Sequence, residues 1–184
     1  ERVLTDVSGP WRVVSVCDAL SEALGRRVDL QTDFEELLTL AHRHGVRVHE
    51  GMGPGAIIEE LYGELVEAVT VEPTFYTDFP AETSPLAAPH RSVPDLAERW
   101  DLVINGMEMG CAYSELTDAL VQRERLTEQS LKAAAGDPEA MEVDEDFLYA
   151  LETGMPPTGG LGLGVDRLVM LLAQTQIRGV LSFP

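Results

Sequence analysis

Apolar residues recur at helical spacing through the first third of the chain. Val16, Ala19, Leu20 and Ala23 form one stripe, opened by Ser15 with Asp18 three residues later and closed by Gly25. A second stripe, Phe34, Leu37, Leu38 and Ala41, follows the capping pair Thr32 and Glu35 and stops at Gly45. A third follows Pro54 and runs through Ile57, Ile58, Leu61, Tyr62, Leu65, Val66 and Val69. Three helices are therefore predicted, each with one face for packing into a core. From Thr74 the pattern changes. Thr74–Thr77 reads as a short strand before a loop holding Pro80, Pro85 and Pro89. Two apolar runs, 100–104 and 107–109, flank Asn105-Gly106, the strongest short-range hairpin signal a sequence offers. A polar helix is predicted over about residues 118–135, opened by Thr117 and closed by Gly136, and another over roughly 144–152. The glycine-rich segment 156–167 then flows into Val165, Leu168, Val169 and Leu172, spaced as one helix face. There is no internal repeat and no low-complexity tract.

Composition narrows what such a chain can do. Apolar residues make up 45% of the 184, enough for one core without disulfides. Thirteen basic against 32 acidic side chains give a net charge of −19, which excludes a simple basic nucleic-acid module and disfavours docking on an anionic membrane. The same charge suits a site that holds cations, and it also suits plain solubility. Cys17 and Cys111 are far apart, so neither a zinc ribbon nor a disulfide scaffold fits, and a reducing cytosol is the expected compartment. No apolar run approaches the ~20 residues of a spanning helix. The start, Glu1-Arg2-Val3-Leu4-Thr5-Asp6, lacks the pattern of a signal peptide. A soluble, cytoplasmic chain is expected.

Three constellations could carry chemistry. With Asn105-Gly106 as a two-residue turn, a regular ladder pairs Ile104 with Met107, Val103 with Glu108 and Asp101 with Gly110. Alternation then sets Asp101 and Glu108 on one sheet face as diagonal neighbours. Two carboxylates this close suit a hard divalent cation such as Mg²⁺; the alternative is that both simply face solvent. The run Gly159-Gly160-Leu161-Gly162-Leu163-Gly164-Val165-Asp166-Arg167 matches neither the dinucleotide fingerprint nor a P-loop. What remains is a strand kept bare on one face by alternate glycines, ending in an Arg suited to stacking on a base and clamping phosphate, or else a tight packing turn. Tyr113 and Glu115 could bracket a cationic amine, one by cation–π attraction and one by ion pairing. Glu115 could equally be a surface acid at a helix start. His42, His44, His49 and His90 read as structural or surface residues, and no nucleophile–histidine–acid set stands out.

Together these segments resemble the class II aminoacyl-tRNA synthetases, specifically the lysine enzymes, over nearly the whole chain. The resemblance rests on Thr77-Asp78-Phe79-Pro80-Ala81-Glu82-Thr83-Ser84-Pro85-Leu86, on the hairpin through Gly110-Cys111-Ala112-Tyr113-Ser114-Glu115-Leu116, and on Gly160-Leu161-Gly162-Leu163-Gly164-Val165-Asp166-Arg167, which looks like the family's third motif. The wording of Ala112-Tyr113-Ser114-Glu115-Leu116-Thr117-Asp118 and Met155-Pro156-Pro157-Thr158-Gly159-Gly160 is most similar to the lysyl-tRNA synthetase domain of actinobacterial two-function proteins that make lysyl-phosphatidylglycerol. The resemblance implies an α+β fold, the C-terminal part of a class II catalytic domain over residues 1–184, with an antiparallel sheet flanked by helices. It implies activation of lysine with ATP to lysyl-adenylate and transfer to tRNA(Lys). Asp101 and Glu108 would hold Mg²⁺ against the ATP phosphates. Glu115 would pair with the lysine ε-amine beside Tyr113, and Cys111 would line the lysine site. Arg167 would pack on ATP as the catalytic arginine, with Gly162 and Gly164 giving backbone approach and Glu108 also facing the nucleotide.

The sequence departs from the family in three places. Cys111 stands where lysine enzymes commonly carry Asn, Asp101 is one methylene shorter than the Glu frequently found there, and the first and second motifs are expected upstream of residue 1. The chain is therefore expected to be inactive alone. It would act within a larger, homodimeric protein that meets a membrane only through a transmembrane domain outside this chain. Two other outcomes stay open: a ligase that lysylates a protein, and a truncated, non-catalytic paralogue serving as a binding or regulatory module. One internal test follows. Strict alternation puts Glu115 on the face opposite Glu108, so a shared site requires a β-bulge or twist near Gly110. A regular ladder from Met107 to Glu115 would count against it.

Overall fold

A computed structural model describes residues 5–49, 51–134 and 140–183. Strand β1 (Arg12–Ser15) leads directly into helix α1 (Val16–Leu24), whose N-cap Ser15 accepts from the Asp18 amide as the spacing predicts. Helix α2 (Phe34–His44) follows, and left-handed Gly25 and Gly45 terminate the two helices. The cap of α2 is Asp33, not Thr32. Asp33 accepts from the Glu35 and Glu36 amides, while the Thr32 hydroxyl is occupied by the Asp29 amide one turn earlier. Helix α3 (Pro54–Leu65) stops short of the predicted Val69. The Thr70 hydroxyl takes the Val66 carbonyl at 2.7 Å and tightens the chain into a 3-10 turn over Glu67–Val69, which leaves Val69 exposed.

Strand β2 (Thr74–Thr77), strand β3 (Arg99–Ile104), strand β4 (Met107–Ser114) and strand β5 (Gly159–Leu163) complete one sheet of order β1-β2-β3-β4-β5. The predicted antiparallel sheet carries one parallel pair, β1 on β2; the other three pairings are antiparallel. The Asn105-Gly106 turn forms as predicted, with φ of 54° and 67° at its two central residues. A Cβ at Gly106 would come within 2.8 Å of the Ala68 carbonyl oxygen, so the turn needs glycine for space as well as for its backbone angle.

Helices α1 to α3 cover the β1–β3 part of one sheet face. Leu20, Leu37, Ile57, Ile58, Leu61 and Tyr62 bury themselves against Tyr76, Phe79 and Val103. Each full burial of such a side chain contributes about 1.5–3 kcal/mol, so this cluster is the main source of stability. Helix α4 (Ala119–Ala134) begins with the Leu120 and Val121 amides bonded to Asp118, not Thr117; Ala135 and Gly136, its predicted end, lie outside the described residues. It anchors the Pro-rich loop: buried Gln122 donates to the Pro85 carbonyl and Arg125 to the Ala87 carbonyl. Helix α5 (Glu145–Thr153) starts one residue after its cap Asp144. Helix α6 (Val165–Ala173) forms where its stripe predicts. That stripe is not packed away, since Val165, Val169 and Leu172 are all exposed. Among the described residues no helix is long and apolar enough to cross a membrane.

Candidate active site

The β3–β4 ladder is regular only at its turn end. Val103 pairs with Glu108 and Ile104 with Met107, but Leu102 pairs with Gly110, so Met109 is an extra residue on β4. This bulge lies beside Gly110, where the shared site requires one. Asp101 consequently faces Cys111, not Gly110, and Arg99 faces Tyr113. Because directly paired residues share a face, the shift brings Arg99, Asp101, Glu108, Cys111 and Tyr113 onto one side of the sheet. That side is the one α1 to α3 cover over β1–β3, and it is open over β4 and β5. Buried Met109 fills the opposite side.

Strand β5 completes the open floor. Gly160 pairs with Tyr113 and Gly162 with Cys111, while Leu161 and Leu163 point to the far side. The alternate glycines thus keep the floor free of their own side chains, the strand reading of the two that the segment allowed, and the tight packing turn falls away. Their neighbours occupy the vacated space. A Cβ at Gly160 would overlap Glu115 Oε1, and one at Gly162 would touch Cys111 Sγ at 3.8 Å. Glu115 itself is fixed at the end of β4 by its amide bond to the Thr158 carbonyl and by a bridge to Ala87. The bulge therefore carries its carboxylate onto the same floor as Glu108. Cys111 Sγ lies 3.8 Å from the Tyr113 hydroxyl, and burial raises the thiol's pKa.

Arg167 reaches back from the first turn of α6. Its Nη1 donates to the Glu108 carbonyl at 2.5 Å and lies 3.7 Å from Glu108 Oε2, with about half the side chain exposed. Behind it is a group that the sequence reading missed. Arg99 Nε and Nη2 donate to the two oxygens of Asp101 at 3.1 and 2.6 Å, and Nη1 contacts Glu59 Oε1 and Ser84 Oγ at 3.3 Å each. Its guanidinium lies 4.0 Å over the Phe79 ring. The one signal available in the sequence is Arg-x-Asp on a strand, which puts both side chains on the same face. Glu59 and Ser84, 40 and 15 residues away, offered none.

Carboxylates dominate the electrostatics. Burial raises the pKa of Asp101, Arg99 pulls it back, and Glu108 pushes it up again. Burial also raises Glu59 and Glu67, with Glu108 and Asp101 adding to the rise at Glu67. Folded carboxyls of this kind bind protons that the unfolded chain releases, so they destabilise the fold as pH climbs above the ordinary carboxylate range of ~4. Glu98 behaves oppositely: Arg91 and Ser114 bonds hold it down to about 2, so its contribution is present above the ordinary range and lost as pH falls towards 2. Urea unfolding should therefore show a midpoint that falls as the pH is raised from about 4.5 towards neutrality, and a midpoint that rises over that interval would show that burial does not hold these carboxyls protonated.

A hard divalent cation suits the donor set in kind, since Asp101 and Glu108 offer oxygen ligands on one face. Glu108 is accessible, whereas Asp101 is only 5% exposed and has Arg99 on both of its oxygens. The pair fits a cation held first through Glu108. His90 is structural, its Nδ1 accepting from the Ser92 and Val93 amides to cap a turn, while His42, His44 and His49 are exposed.

The chain is similar to known proteins over nearly its whole length. The model for tRNA synthetases class II (D, K and N) matches residues 2–184. The lysylphosphatidylglycerol biosynthesis bifunctional protein LysX of Mycolicibacterium vanbaalenii is 59% identical over 179 residues, which is 97% of this chain and 16% of that protein. The proteins of the same name from Mycolicibacterium gilvum and Mycobacterium tuberculosis (strain F11) are each 58% identical over 179 residues. The chain spans 16% and 15% of their lengths.

Proposed function

For a chain that belongs to the class II tRNA synthetases of the D, K and N type, we propose activation of lysine by ATP to lysyl-adenylate, followed by transfer of the lysyl group to tRNA(Lys). In this reading the chain is the C-terminal part of a catalytic domain, with 160–167 as its third motif, inside a larger homodimeric protein. The observation that carries it is the Met109 bulge, which assembles Asp101, Glu108, Cys111, Tyr113 and Glu115 over the glycine floor.

The residues divide the work by charge. Glu115 receives the lysine ε-ammonium, with the Tyr113 ring beside it and Cys111 lining the approach. Gly162 and Gly164 let the nucleotide lie against backbone, and Arg167 packs on ATP from the floor's edge. Glu108 and Asp101 would hold Mg²⁺, which when bound supplies charge neutralisation among the phosphates. Activation joins a carboxylate oxygen of lysine to the α-phosphorus of ATP and expels pyrophosphate. Transfer then moves the lysyl group to a tRNA hydroxyl and releases AMP. Both steps depend chiefly on positioning and charge stabilisation, so this chain needs no nucleophilic side chain.

The names of the relatives, which concern lysylphosphatidylglycerol biosynthesis, support a role in which the lysyl group passes onward to lipid. The full natural protein, given ATP, Mg²⁺, labelled lysine and tRNA(Lys), should form lysyl-tRNA with no lipid present. Labelled lipid arising without tRNA would instead make the lipid the direct acceptor. Labelling of a protein would favour the protein-ligase reading.

A further inference from the structure

A divalent cation drawn to Asp101 meets a resident positive charge. The guanidinium of Arg99 grips both Asp101 oxygens, and the aspartate is closed to solvent on its other sides. Two cations on one small carboxylate repel each other strongly at this burial. Beside Arg99 there is an unused alternative. Glu59 Oε1 already accepts from Arg99 Nη1 at 3.3 Å, while Glu59 Oε2 is buried with no well-formed hydrogen bond, since the nearby Thr83 hydroxyl donates to the Pro80 carbonyl. A buried carboxylate oxygen left unpaired is costly, so a second guanidinium bond to Glu59 would be favourable.

We infer that Arg99 is a movable positioning residue that competes with the divalent cation for Asp101, and that Glu59 is the seat it takes when the cation binds. Ser84 and the Phe79 ring hold the guanidinium within reach of both acids. Cation affinity is then set by the balance of Arg99 between two carboxylates as well as by the ligands themselves. Glu59 touches neither ATP nor lysine in the proposed arrangement, and its effect passes through Arg99. The inference rests on the reading that Asp101 and Glu108 receive the cation.

Mn²⁺ titration of the full natural protein, followed by electron paramagnetic resonance without nucleotide, tests it. Glu59→Gln removes the charge of the alternative seat and should weaken Mn²⁺ binding about tenfold, the size of one charge-assisted hydrogen bond. Arg99→Lys keeps the charge but cannot grip both Asp101 oxygens in a fork, so it should tighten binding. A merely structural role would move both variants in the same direction. Binding unchanged or tighter in Glu59→Gln, or weaker in Arg99→Lys, overturns the inference. If Glu59→Gln does not fold, Arg99→Lys alone decides by the sign of its shift. Should wild-type binding be lost in Glu108→Gln while the two Arg99-related variants behave like wild type, the cation reading stands and only the inference falls. Absence of Mn²⁺ binding in every form overturns both.

Discussion

Glu115→Gln will raise the KM for lysine in ATP–pyrophosphate exchange by about 10- to 100-fold, the loss of one charge-assisted hydrogen bond, and leave the KM for ATP nearly unchanged. The substitution keeps the side chain's shape and its place over Gly160, removing only the charge proposed to receive the ammonium. Gly160→Ala should reproduce the effect from the other side of the contact. Its Cβ would overlap Glu115 Oε1 and push the carboxylate off the floor, while the strand backbone at this position suits any residue. The new side chain also lowers the entropy of the unfolded chain, so the variant should fold about as well as wild type. A protein of unchanged stability with impaired lysine use is the specific expectation. Gly160→Ala with an unaltered lysine KM would show that this carboxylate does not receive the amine.

Arg99→Ala should be the most destabilising single substitution at the site, lowering the unfolding free energy by about 3–5 kcal/mol. The arginine and Asp101 side chains are only 17% and 7% exposed, so removing the cation strands the buried Asp101 and also takes the Arg99 ion pair from the part-exposed Glu59. The Arg91–Glu98 pair is the natural control. Arg91 is 78% exposed, so its loss should leave the unfolding midpoint nearly unchanged. Urea unfolding of the two variants measures the contrast directly. A loss below about 1 kcal/mol for Arg99→Ala would mean that the site tolerates its buried charges without this clamp.

Local chemistry made much of the fold legible. Ser15, Gly25 and Gly45 bound helices because their side chains or backbone angles satisfy helix-end groups, and Asn105-Gly106 turned the hairpin for the same kind of reason. Where two capping residues stood side by side, as at Thr32 and Asp33, local pattern could not rank them, because the outcome depended on what the Asp29 amide needed. The α6 stripe shows the limit of periodicity. Val165, Val169 and Leu172 mark an apolar helix face, but spacing cannot say that the described residues leave it uncovered. At the candidate site, alternation offered the glycine floor only beside a tight packing turn, because closely spaced glycines suit both and only the pairing of the strand with β4 decides between them. The bulge was not legible, since a two-residue turn predicts a regular ladder. It became an expectation only because Glu108 and Glu115 had to share a site. Arg99 and its partners stayed invisible because they converge from three separate elements.

Lysine adenylation is the proposed work of this glycine floor, with Glu115 at one end and Arg167 at the other. Lysine-dependent ATP–pyrophosphate exchange with Mg²⁺, run on the full natural protein and on its Arg167→Ala variant, addresses it most directly. Exchange should respond to lysine and be lost in the variant, which lacks the guanidinium that lies against Glu108. No lysine-dependent exchange in the full protein, or exchange that survives Arg167→Ala undiminished, would contradict it.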